Sequence, residues 1–371
     1  MKKTITILML CLMFGCVTSF SAYAEDTADT ELLQRIQKLE ESQKLFILSG
    51  GWLDRITISG VLEAEAGFAS TDFADPNEED TNESSVALAT MELGVDAEIS
   101  DNISGHVLFL WEEEDPVNLD EGVITISGED TPLFLSAGKM YVPFGNFEST
   151  MISDPLTLEL GETGESAIQV GFESEGFYGS AYVFNGDIDE AGDDSHIDNF
   201  GANAGFSIEN DGFCLDAGVS YINNMLDSDG LGEWAEETMD TDGTGLKDYV
   251  GGFGAHVTVN TGPVTLIGEY ITMIDDPEFV SDAGVTAKGE KIAAYNAEVA
   301  FAFDLAGKEA AIGLAYQGTS DSGDFLPETR IVGAIGVGIF DSTTLALEYA
   351  HDEFENDDKA DVITAQLAIE F

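Results

Sequence analysis

Glu63 and Glu65, and then Glu92, Asp96 and Glu98, recur at even spacing between apolar residues, and Glu269 and Glu298 stand in similar surroundings. Side chains two residues apart share one face of an extended chain, so these segments present rows of acid. With a suitable histidine or serine such a row could do catalysis. With further oxygens it could bind a divalent ion, and alone it attracts cations. The four histidines (His106, His196, His256, His351) form neither H-E-x-x-H nor an H-x-x-x-H pair, and G-x-S-x-G is absent. "DSDG" at 227–230 and "DTDG" at 240–243 resemble halves of a calcium loop without its closing Glu. The expectation is therefore no enzyme, no metal centre and no cofactor beyond divalent cations held loosely by acidic loops. Lys139 and Arg330 are the basic residues set well inside the alternating segments, opposite the carboxylate rows.

The elements that carry these rows have a period of two. In "ATMELGVDAEI" the residues Ala89, Met91, Leu93, Val95, Ala97 and Ile99 form one side, and Thr90, Glu92, Asp96 and Glu98 the other. "AYNAEVAFAF", "TRIVGAIGVGIF" and the closing "ITAQLAIEF" repeat the pattern. About sixteen strands follow, the first at 56–68 and the last at 360–371; the fourth (123–127) and sixth (167–173) are short, so 14 or 18 also fit. Turns such as "SDN", "SEG", "NTGP" and "DST" are very short, and they alternate with long acidic loops. An even number of long strands with short turns at one end describes an all-β transmembrane antiparallel barrel. A soluble β-sandwich or solenoid needs neither the strand length nor the strict alternation.

Bulk composition agrees. Hydrophobic content of 44% and a mean hydropathy of +0.02 exclude a disordered acidic chain despite a net charge of −59. With 13 Lys plus Arg against 72 acids there is no basic patch for nucleic acid. Lys2 and Lys3, an apolar run and Ala22-Tyr23-Ala24 read as a signal peptide over 1–24. Its removal leaves Cys214 alone, hence no internal disulfide. Residues 25–50 hold a short amphipathic, coiled-coil-like periplasmic helix ("LLQRIQKLEE"), and 55–371 form the barrel.

Inward carboxylates without matching cations cannot sit in a dry interior, so the lumen is read as water-filled. A barrel of about sixteen strands is wide enough for a channel. Glu63, Glu65, Glu92, Asp96, Glu269 and Glu298 would then set its selectivity, with Lys139 and Arg330 facing them. Outward aromatics near strand ends (Phe68, Trp111, Tyr221, Tyr249, Tyr295, Tyr316, Tyr349, Phe371) suit interface girdles. Pro143, Phe144 and Gly145 break a strand, and the following "MISDPLTLELGETGESA" is more apolar than the other loops. This segment, with Asp154, Pro155, Glu159 and Glu162, either folds inward as a constriction loop or caps a rim.

"LFLSAGKMYVPFGNFESTMISDPLTLELGETGESAIQVGFE" (133–173), preceded by the short helix and "ITISGVLEAEAGF", resembles the LbtU-type siderophore porins of outer membranes. The likeness is carried by Gly138, Lys139, Tyr141, Pro143, Phe144, Gly145, Asp154, Pro155, Leu158, Gly161 and Glu162. It implies passage of an iron–siderophore complex through a barrel of the bacterial outer membrane. Phe371 resembles the terminal signature by which the barrel assembly machinery recognises such proteins. The expected function is a passive porin for small solutes. The alternative is a structural or adhesive barrel whose acidic loops bind divalent cations. The expected partners are outer-membrane lipid, the solute and, as in many porins, further copies of the chain.

Overall fold

The computed structural model describes residues 53–113, 116–129, 131–192, 196–239, 245–280 and 286–371. The signal peptide and the helix expected over 25–50 lie outside the described residues. Nineteen strands are present among the described residues: β1 (Ile56–Asp72), β2 (Thr81–Ser100), β3 (Ile103–Trp111), β4 (Asn118–Ser127), β5 (Leu133–Tyr141), β6 (Gly164–Ser174), β7 (Phe177–Phe184), β8 (Asn199–Asn210), β9 (Phe213–Ile222), β10 (Gly245–Leu246), β11 (Gly252–Thr261), β12 (Val264–Met273), β13 (Glu278–Val280), β14 (Thr286–Lys288), β15 (Ala293–Leu305), β16 (Lys308–Ser320), β17 (Thr329–Phe340), β18 (Thr343–Glu353) and β19 (Lys359–Glu370). Sixteen of them close one barrel, and β10, β13 and β14 form a separate three-stranded sheet within the long loops. The fourth and sixth strands, read as short, are 10 and 11 residues long, so the count is sixteen rather than 14 or 18.

Closure is made by β1 and β19, in register from Val61 opposite Glu370 to Asp72 opposite Lys359. Beyond the last rung, Gly60 and Phe371 exchange both backbone hydrogen bonds, at 2.9 and 3.0 Å. The outer wall is apolar and solvent-exposed: Ile58, Phe68, Leu314, Ile363, Leu367 and Phe371 all point away from the barrel axis. In water this surface would be a liability; on a closed sheet with no free edge it is a hydrocarbon-facing belt. No helix among the described residues is long and apolar enough to cross a membrane.

Two readings from strict alternation change. The register steps from Glu63 opposite Thr90 to Ala64 opposite Leu88, a bulge that leaves Ala89 unpaired. Ala89, assigned above to the outer row, therefore lines the lumen. Tyr249 lies ahead of β11 and packs on the interior apolar cluster instead of joining the outer aromatics. Tyr295 and Tyr316 do form an outer pair, with ring centroids 5.7 Å apart. His351 is on β18, where its Nδ1 lies 2.8 Å from Asp361 Oδ1.

At the long-loop end the interior holds a packed apolar cluster. Its parts are the chain between β5 and β6 with helix α1 (Leu156–Gly161), and the turn after β9 with helix α2 (Asp229–Met239). Leu156, Leu160, Met225, Leu226 and Leu231 are all fully buried there. Backbone at α2 approaches α1 so closely that a Cβ on Gly230 would lie 2.3 Å from the Glu159 carbonyl oxygen.

The seam between first and last strands offers a test. A Cβ on Gly60 would stand 2.5 Å from the Phe371 ring and 2.7 Å from the Glu92 carbonyl oxygen. The missing side chain is what lets the terminal ring lie across β1. Gly60→Val should lower the urea midpoint of the refolded barrel by the equivalent of about 2 kcal/mol, the usual cost of overpacking. An unchanged midpoint would show that the ring moves aside freely.

Candidate functional site

Pro143 has no N–H to continue the ladder, and Gly145 turns the chain at φ +83°. Residues 142–163 then run inside the barrel against one wall. Gly145 N donates to Ser220 Oγ on β9 at 3.0 Å. Asn146 N and Phe147 N donate to the Glu269 carboxylate on β12 at 2.6 and 3.2 Å, and Thr157 Oγ1 donates to it at 2.7 Å. Ser149 Oγ and Thr150 N, both at 2.8 Å, donate to Glu298 on β15. Ile152 N and Ser153 N donate to Glu348 on β18, and Leu156 N donates to Gln317 Oε1 on β16 at 3.2 Å. An inserted loop has few strand partners for its own backbone, so its N–H groups must find other acceptors. Inward-pointing side chains of the wall supply them.

This changes the reading of two sequence-derived residues. Glu269 and Glu298 point inward as expected, but the loop covers them to 6 and 5% exposure, and they accept loop N–H groups instead of facing water. Glu348, at 3% exposure, does the same. Charge-assisted hydrogen bonds compensate the desolvation that would otherwise expel such groups.

The space left beside the loop is a cavity of about 670 Å³ against the wall of β1–β5 and β19. Eight carboxylates line it: Glu63, Glu65, Glu92, Glu112, Asp120 and Glu121 from the wall, and Asp154 and Glu162 from the loop. No Lys, Arg or His does so. Leu108, Leu110 and Leu158 supply apolar patches, and Tyr141 donates to Asp120 at 2.9 Å. Pro143, Phe144 and Gly145 border a second cavity of about 430 Å³, which Glu162 shares. Burial, reinforced by Asp229, Asp154 and Asp120, pushes the Glu162 carboxyl up to about 7. Burial likewise raises Asp154, with Glu348 and Glu65 adding, and raises Glu159, with Asp154 adding. Pro155 is buried ahead of α1.

The remaining candidates stand elsewhere. Asp96 Oδ1 accepts from His106 Nδ1 at 2.8 Å, outside the cavity lining. Lys139 Nζ donates to the Leu119 carbonyl at 3.2 Å, and Arg330 grips Asp352 with two bonds of 2.8 and 2.9 Å. Neither cation lines the cavity. The sequence reading missed Asp120 and Glu121 because it began the fourth strand at 123. It missed Gln317 because an inward amide carries no charge signal. Among the described residues no group of three or more His, Cys, Asp or Glu is arranged to hold a metal.

No family model matches the chain. It is 28% identical over 335 residues to a UPF0422 protein of Coxiella burnetii, covering 87% of this chain and 70% of that one. To the UPF0422 protein lpl2888 of Legionella pneumophila it is 26% identical over 357 residues, covering 87% and 64%. The chain thus spans about two thirds of the length of these relatives. Among solved structures it is similar to the outer membrane channel DcaP of Acinetobacter baumannii (TM-score 0.56, 12% identity, 85% of this chain and 97% of that one). OprB of Pseudomonas putida is as similar (TM-score 0.56, 10% identity, 86% and 95%). OmpF of Salmonella typhi, solved with daunomycin, scores 0.54 at 13% identity over 85% and 97%. This chain has the fold of an outer-membrane channel. Its place is the bacterial outer membrane, with lipid against the apolar wall.

The tethers predict a conductance effect. Glu298→Ala removes the acceptor of the Ser149 and Thr150 bonds, each worth about 1.5–3 kcal/mol to a charged group. Single-channel recordings of this variant should show larger and noisier current steps than the parent protein. Identical recordings would mean that Glu269, Glu348 and Gln317 hold the loop without it.

Proposed function

We propose that this protein is a passive outer-membrane porin whose narrowed lumen favours cations and neutral solutes over anions. The carrying observation is the cavity beside the inserted loop, with eight carboxylates and no basic side chain on its lining. A passage lined by one sign of charge, with low-dielectric walls, concentrates counter-ions and excludes co-ions. The three wall carboxylates under the loop do not contribute; Glu63, Glu65, Glu92, Glu112, Asp120, Glu121, Asp154 and Glu162 do.

The likeness of residues 133–173 to LbtU-type siderophore porins supports a ferric siderophore as one of the solutes. The charge of the lining restricts that complex to a neutral or cationic one, or to an anion screened by divalent ions held at the acidic loops. Assembly through recognition of Phe371 by the barrel assembly machinery, and association of several copies, complete the reading.

Planar-bilayer recording in a salt gradient tests it. The reversal potential should have the sign of a cation-selective channel, and Asp154→Asn with Glu162→Gln should reduce the cation preference several-fold. No conductance, or anion selectivity, would overturn the proposal. Because the Glu162 carboxyl lies near 7, it is protonated and neutral below that pH and charged above it. Cation preference should therefore rise between about pH 6 and 8, and Glu162→Gln should flatten the rise. Liposome swelling with neutral, cationic and anionic ferric siderophores would then rank the solutes.

A further inference from the structure

The chain that enters the barrel after β5 curls beside α1, and the curl borders the second cavity, of about 430 Å³. That volume lies within the range of about 300–1,000 Å³ that holds small organic ligands. Its walls come from residues 141–147, from α1 and from the two residues after that helix. Pro143, Phe147 and Leu158 are half-buried members of the wall and make it largely apolar. The Phe147 ring occupies room left by two glycines: a Cβ on Gly145 would lie 2.3 Å from its Cζ, and one on Gly161 3.1 Å from it. Thr163 Oγ1 is already engaged, donating to the Gly161 carbonyl at 3.1 Å.

Tyr141, Leu158 and Glu162 line both this cavity and the larger one in the lumen, so they mark the mouth between the two. The Tyr141 hydroxyl is committed to Asp120. Among the described residues no hydrogen-bond donor reaches the Glu162 carboxylate, and the charges acting on it most strongly are acidic: Asp229, Asp154, Asp120 and Glu159. No Lys, Arg or His of the described residues lines either cavity. A half-buried carboxylate without a partner, at the edge of an apolar wall, fits a ligand of two parts. A metal ion is a poor match, because beyond Glu162 the wall has few oxygens to replace its water. A neutral apolar solute would cover the wall and desolvate the carboxylate without compensating it. An ammonium group on a hydrocarbon stem meets both demands, and an aromatic ring beside the charge adds to the attraction.

We propose that the second cavity is a subsite for organic ammonium ions. The alkyl or aryl stem lies against Pro143, Phe147 and Leu158, and the ammonium group sits at the shared mouth with the Glu162 carboxylate and the Tyr141 ring. This names a solute class for the lumen and rests on the porin reading for its biological meaning, whereas binding itself needs no conduction.

The test is calorimetric titration of the full chain, refolded in detergent, with methylammonium, propylammonium and pentylammonium chloride. It is run at pH 8, above the value of about 7 to which burial lifts the Glu162 carboxyl, so that the group is charged. Affinity should rise roughly tenfold for each two methylenes added to the stem. Glu162→Gln keeps the shape and removes the charge, and should weaken pentylammonium binding by about tenfold or more. Glu92→Gln, on the lumen cavity alone, should change it by less than about twofold at moderate salt. Equal affinities across the amine series, or equal losses in the two variants, would overturn the proposal, because a diffuse acidic field distinguishes neither stem length nor the position of the charge. A chain that binds pentylammonium but does not conduct would overturn the porin reading alone. One that conducts cations yet shows no preference for the longer stem would overturn the subsite alone.

Discussion

A strand in hydrocarbon has no water to turn to, so each backbone N–H and C=O must pair within the protein. The rest of this structure follows from that constraint. It requires the sheet to close, and closure joins β1 to β19 through twelve registered pairs and a final exchange between Gly60 and Phe371. It turns the apolar face outward, which sends the polar side chains into a lumen they cannot fill with neutral contacts. It also sets the terms for any chain that enters the lumen, because an inserted segment brings its own unpaired N–H groups.

The lumen loop meets those terms with side chains. Glu269, Glu298 and Glu348 stand on the same arc of wall and receive the loop backbone in that order, after which the chain turns back to Gln317 on β16. On its other flank the loop joins α2 through Phe144, Leu156 and Leu160, which share an apolar cluster with Met225 and Leu231. Hydrogen bonds fix the height and register of the loop, and burial of apolar surface holds it at the mouth. The acids that remain in the cavity are those with no loop backbone to bind.

Much of this was legible in advance, for identifiable reasons. Period-two alternation and strictly alternating connection lengths read out sixteen strands because both are consequences of closure in lipid. The inward direction of Glu63, Glu65, Glu92, Glu269 and Glu298 followed from the same period. The fate of those carboxylates did not follow, because it depends on contacts between residues more than a hundred positions apart, such as Thr150 with Glu298. Ala89 was misplaced because a bulge shifts the alternation, and nothing in "ATMELG" announces one. Tyr249 was misplaced because a loop that packs inward resembles, in sequence, the end of a strand. The breakers Pro143 and Gly145 marked where the chain leaves the sheet without showing which way it goes.

The one-sided attachment of the loop has a dielectric consequence. Behind the loop the barrel is filled with protein: tethers, an apolar cluster and two helices. In front of it lie the cavity and a single layer of strands with six acids on its inner face. If the cavity is the cation path proposed above, an ion in it meets a poorly polarisable body on one side and a charged surface on the other. Its image in the low-dielectric body repels it, and the acids of β1–β4 attract it, so both forces push the same way. On that proposal the favoured route is a lane along one wall of the barrel, well away from its axis.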